Sequence, residues 1–87
     1  MNRLAAFVVL LGALAAPAVA RAAAPQITNR TLVLCGALDQ TTPPPLAREL
    51  ARLIPGARYE DIPDSGHCPM LEQPDALTEK MQRFLAA

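Results

Sequence analysis

Histidine is the side chain whose unperturbed proton affinity suits acid and base work near neutral pH, and this chain contains a single one. His67 follows a glycine in a turn-rich stretch, Ile62-Pro63-Asp64-Ser65-Gly66-His67-Cys68-Pro69-Met70-Leu71-Glu72-Gln73-Pro74. A lone loop histidine is more often a solvated bystander than a catalyst. A second stretch changes that reading: Thr31-Leu32-Val33-Leu34-Cys35-Gly36-Ala37-Leu38-Asp39 is an apolar run closed by Gly-x-x-Asp. A carboxylate held against one ring nitrogen of a histidine fixes its tautomer and stabilises the imidazolium. That prepares the other nitrogen to take a proton from a nucleophile. Asp39 and His67, 28 residues apart, are the candidate acid and base.

Other reactive residues give weaker constellations. Ser65, the only serine, reads as a turn residue that helps Asp64 shape the loop. Cys35 and Cys68 permit one disulfide in an oxidising compartment, but strand-end geometry rarely meets the distance and direction limits of that bond. They read instead as a buried strand thiol and a loop thiol. Cys68 as a substitute nucleophile is disfavoured, because a residue adjacent to the base in sequence normally points elsewhere. A zinc set of Cys35, Asp39, His67 and Cys68 lacks the paired spacings of known sites. No metal or cofactor is expected.

The elements that would position Asp39 and His67 follow from periodicity. Thr31–Cys35 is a continuous apolar run with β-branched Val33, the pattern of a strand covered on both faces of a parallel sheet. Thr42 before Pro43-Pro44-Pro45 reads as a helix N-cap, with proline tolerated in the first turn. Leu46, Leu50, Leu53 and Ile54 form an i, i+4, i+7, i+8 stripe, and Pro55-Gly56 ends that helix. Ala57–Ile62 alternates as a second strand. After Pro74 a second helix carries Leu77, Met81, Phe84 and Leu85 on one face. The order strand–helix–strand–helix implies parallel strands joined by a right-handed crossover. Loops leaving the carboxyl ends of parallel strands share one rim of the sheet, so Asp39 and His67 are expected to meet there.

Net charge is zero and the basic residues are scattered, which excludes an electrostatic footprint for nucleic acid or anionic lipid. Hydrophobic residues make up 52% of the 87, but only Phe7, Tyr59 and Phe84 are aromatic, so the core is aliphatic and thin. Self-association is an expectation for so small a unit. Residues 1–20 combine a basic start, an apolar run from Leu4 to Ala20 expected to be helical, Pro17 and the small-x-small ending Ala18-Val19-Ala20. This is the order of a secretory signal peptide. Cleavage is expected after Ala20 or Ala22, with export to a bacterial periplasm or the exterior and membrane association only if the segment stays uncleaved. Residues 21–30 read as an extended linker, and residues 31–87 as the folded unit.

Residues 30–86 resemble the carboxyl-terminal part of an α/β-hydrolase, in the style of enol-lactonases and esterases. Leu32-Val33-Leu34-Cys35-Gly36-Ala37-Leu38-Asp39-Gln40-Thr41-Thr42-Pro43 is similar to that family's strand and acid loop. Pro63 to Pro74 is similar to its histidine loop. The resemblance implies an α/β fold with a parallel sheet, Asp39 as triad acid, His67 as general base, and a small ester or lactone as substrate. The family's nucleophile lies in Gly-x-Ser-x-Gly. Here the four glycines are Gly12, Gly36, Gly56 and Gly66, and none flanks a suitable residue. The expectation is therefore a truncated hydrolase, inactive by itself. The alternative is a small exported interaction module that keeps the scaffold without the chemistry.

Overall fold

The computed structural model describes residues 6–10 and 21–87. Three strands, β1 (Ala6–Leu10), β2 (Arg30–Gly36) and β3 (Arg58–Ile62), form one all-parallel sheet in the order β1-β2-β3. The registers run from Ala6 opposite Arg30 to Leu10 opposite Leu34, and from Leu32 opposite Arg58 to Gly36 opposite Ile62. Helix α1 (Pro44–Leu53) makes the crossover between β2 and β3. A single-turn helix α2 (Pro69–Glu72) and the longer α3 (Pro74–Ala86) follow β3.

The central strand explains the layering. Every residue of β2 after Arg30 is buried, as a strand with both faces covered requires. Because side chains alternate along a strand, Val33 and Cys35 pack with Ala47, Ala51 and Ile54 on the α1 side. Leu32 and Leu34 pack with Ile62, Leu77 and Phe84 on the α3 side. Arg30 and Lys80 add polar latches to α3: the Arg30 guanidinium donates to the Phe84 carbonyl at 2.7 Å and lies 4.5 Å from its ring centroid. The Lys80 ammonium meets Glu60 at 3.1 Å.

Several local expectations are corrected. Ala6–Leu10 is a strand beside β2, not part of a hydrophobic helix. An alanine-rich apolar run satisfies either period, and pairing with the edge of β2 decides it. The rest of the expected signal segment lies outside the described residues. Residues 21–30 are not simply extended, for Ala24–Gln26 forms a 3₁₀ turn that buries Ala24 against the α1 layer. Helix α1 turns its alanines inward: Ala47 and Ala51 are buried and Leu46 is exposed, while Leu50 and Leu53 are only partly covered. Small side chains let the helix approach the sheet closely, which leucines at those positions would prevent. Leu85 likewise faces outward. Thr42 is not the side-chain cap of α1; Pro43 takes the N-cap position without a side-chain bond, and the Thr42 hydroxyl is used elsewhere.

Candidate active site

Asp39 and His67 meet at the carboxyl ends of β2 and β3. Imidazole Nδ1 lies 3.0 Å from Asp39 Oδ2 and 3.2 Å from Oδ1. The two loops are joined by backbone bonds: Ala37 N–H donates to the Ile62 carbonyl at 2.9 Å and Leu38 N–H to the Ser65 carbonyl at 2.8 Å. Gly36 permits this approach. A Cβ there would fall 2.1 Å from the Gly66 carbonyl oxygen and 2.5 Å from that of Ser65, inside any van der Waals contact.

Asp39 is fixed by its own loop. Its amide donates to the Gly36 carbonyl at 3.1 Å, closing a turn. Its Oδ1 accepts the Thr41 and Thr42 amides at 2.8 and 3.0 Å, and Oδ2 accepts the Thr42 hydroxyl at 3.1 Å. Burial alone pushes the carboxyl's proton affinity up. The Thr42 amide, the His67 ring, the Thr41 amide and the Thr42 hydroxyl together outweigh burial and hold it below the ordinary value. Asp39 is therefore ionised at neutral pH and can only accept hydrogen bonds. His67 Nδ1 must then carry the proton it donates, which leaves Nε2 as the basic nitrogen. Among the described residues no protein group bonds Nε2, and the ring is partly exposed while the carboxylate is covered.

The remaining candidates do not join this pair. Ser65 is fully buried, and its hydroxyl donates to the Gly66 carbonyl at 3.3 Å, consistent with a turn residue. Both cysteines are free. The Cys35 thiol is buried and donates to the Thr42 carbonyl at 3.4 Å, and burial raises its proton affinity. Cys68 occupies the N-cap position of α2 and has no bond to His67 among the described residues. Among the described residues no group of three His, Cys, Asp or Glu side chains gathers as a metal site would need.

Two features of the histidine loop lie outside the sequence expectation. Asp64 adopts a left-handed conformation with φ of 58°, which aspartate tolerates better than most residues. Gln73 steadies the turn by donating to the Asp64 carbonyl at 3.2 Å. Glu72, to which the sequence pattern assigns no individual role, reaches back to accept the amides of Gly66 and Cys68 at 2.7 and 3.2 Å. Its spacing of five residues after the histidine, with a proline between them, was the available signal.

Comparison with known proteins places this chain among relatives. The model of the alpha/beta hydrolase family matches residues 2–80. A thermophilic esterase from Thermogutta terrifontis superposes with a TM-score of 0.75 and 36% identity, over 77% of this chain and 25% of that one. The enol-lactonase of Burkholderia xenovorans gives a TM-score of 0.73 and 39% identity, over 77% and 25%. A Mycobacterium tuberculosis protein bearing the name non-heme bromoperoxidase is 43% identical over 61 residues, 70% of this chain and 23% of that protein. The chain spans about a quarter of the length of the relatives it matches.

Proposed function

Because the chain belongs to the alpha/beta hydrolase family, we propose that Asp39 and His67 are the acid and general base of a hydrolytic site for small esters or lactones, with the nucleophile supplied by a segment outside these residues. The observation that carries this reading is the 3.0 Å contact between His67 Nδ1 and the buried, ionised Asp39, which leaves Nε2 unbonded. In that role Nε2 removes the proton of a nucleophilic hydroxyl as it attacks the substrate carbonyl. Asp39 stabilises the imidazolium that forms without taking the proton itself. Nε2 then returns the proton to the departing alkoxide, and a water activated by the same nitrogen releases the acid. The esterase and enol-lactonase among the structural neighbours support an oxygen ester or lactone as the bond cleaved.

The nucleophile is placed elsewhere because Gly-x-Ser-x-Gly does not occur in the 87 residues and Ser65 is buried in a turn. A base without a positioned hydroxyl contributes little, since triad members act as a unit. The test is hydrolysis of a small activated ester by the purified chain, alone and joined to the nucleophile-bearing remainder of a related esterase. The chain alone is expected to be no faster than free imidazole. The joined protein is expected to turn over, with Asp39→Asn lowering its rate by about ten thousand-fold and His67→Ala abolishing the acceleration. A joined protein equally active with His67→Ala refutes the assignment. We also propose, on the composition of residues 1–20 alone, that the chain is exported.

A further inference from the structure

We propose that Glu72 is a positioning residue that sets the place of His67 by holding the backbone on both of its sides, an inference that rests on the Asp39–His67 reading above. Its two carboxylate oxygens take different partners: Oε1 accepts the Gly66 amide at 2.7 Å and Oε2 the Cys68 amide at 3.2 Å. Those are the residues immediately before and after His67, so one side chain brackets the base. Hydrogen bonds to a carboxylate are about twice as strong as neutral ones, and two on one rigid group fix orientation as well as distance.

The local fold exists to bring that carboxylate back. Helix α2 is a single turn, closed by Leu71 and Glu72 amides donating to the Cys68 carbonyl at 2.9 and 3.0 Å and by the Gln73 amide donating to the Pro69 carbonyl at 2.8 Å. This turn carries Glu72 across the face of Gly66. Gly66 leaves room for it, for a Cβ there would stand 3.3 Å from each carboxylate oxygen. The stretch before Gly66 is tied to the acid loop through the Ser65 carbonyl. After it, the Cys68 amide is held by Glu72, the one side chain bonding it among the described residues. Glu72 therefore supplies the restraint on the side of His67 that the sheet does not reach.

An isosteric Glu72→Gln change separates this role from packing. Glutamine keeps the volume but turns an amide N–H₂ toward one of the two backbone donors, so at most one bond survives. The experiment is nuclear magnetic resonance of the isotope-labelled 87-residue chain, reading the low-field His67 Nδ1 proton that donates to Asp39, beside the backbone amides of Leu32–Cys35. The expected result is that this signal, present in the natural chain and lost in Asp39→Ala, is also lost or exchange-broadened in Glu72→Gln and Glu72→Ala while the strand amides stay unchanged. Retention of the signal in both Glu72 variants overturns the role of Glu72 and leaves the dyad standing. A natural chain whose signal is absent, or unaffected by Asp39→Ala, overturns the dyad reading and this inference with it. Disruption of the strand amides in Glu72→Gln makes Glu72 a support of the sheet and also overturns the proposal.

Discussion

Gly36→Ala puts the closeness of the two loops to the test with one methyl group. The new Cβ would sit 2.1 Å from the Gly66 carbonyl oxygen, where ordinary contact starts at 3.4 Å, so one side must yield by about 1.3 Å. Neither side yields easily, because the obstructing atoms are backbone and not the free end of a side chain. A retreat of the histidine loop along the Nδ1–Oδ2 direction would stretch that contact from 3.0 Å to roughly 4.3 Å, past hydrogen-bond range. It would also pull on the Leu38-to-Ser65 and Ala37-to-Ile62 bonds. Overpacking costs about 1–3 kcal/mol and a weakened backbone bond about 1 kcal/mol, so the expected loss is about 2–4 kcal/mol. A domain of this length has roughly 4–13 kcal/mol in all. Urea titration followed by circular dichroism gives the loss, and the low-field His67 proton gives the separation of the dyad. A variant within about 0.5 kcal/mol of the natural chain, with that proton intact, would refute the argument that Gly36 is what lets the loops meet.

Three further outcomes are expected. The carboxyl of Asp39 is depressed below its ordinary 3.8, so its stabilising contribution is full above that pH and is lost as pH falls through the lower folded value. Acid titration of Asp39→Asn should lack this component but keep the exposed one from Glu49, which Arg52 depresses; identical acid profiles would count against the Asp39 network. Ala47→Leu should destabilise by about 1–3 kcal/mol through overpacking, while Leu46→Ser should stay within about 0.5 kcal/mol, and the reverse order in thermal melts would restore the leucine face predicted for α1. The export proposal expects a mass shortened by the first 20 or 22 residues in the exported fraction of a bacterial host. Cleavage there would also remove β1, so a full-length mass in the soluble fraction would favour the strand over the signal.

The parts of the fold readable in advance were those where sequence pattern and tertiary environment agree. Val33 and its apolar neighbours announce a covered strand, and Gly36 and Gly66 announce loops at which an acid and a histidine can meet. Other features required knowing what lay opposite. Ala6–Leu10 has a composition that suits an export helix as well as a strand, and only pairing with β2 separates them. On α1 the expected stripe holds for Leu50, Leu53 and Ile54 but not for exposed Leu46, and the buried Ala47 and Ala51 escaped notice because alanines carry little hydrophobic weight. Thr42 precedes a run of prolines as a cap would, yet Pro43 takes the N-cap position and the Thr42 hydroxyl donates to the Asp39 carboxylate. Glu72 shows in sequence only as a glutamate five residues past the histidine, and the amides it returns to emerge only in the fold.

The all-parallel sheet has a kinetic consequence. Among the described residues no two strands are joined by a hairpin: Ala6 pairs with Arg30 and Leu32 with Arg58, so each pairing closes a loop of about two dozen residues. Local turns cannot nucleate such a sheet, and folding that waits on distant contacts is slow for its size. The contact between Asp39 and His67 closes a loop of 28 residues around the same crossover. Pairing of β2 with β3 and formation of the Asp39–His67 contact are thus expected in one rate-limiting event. A refolding experiment that follows strand amides and the His67 ring together should find a single time constant, with no stage at which the sheet is complete and the site is still unformed.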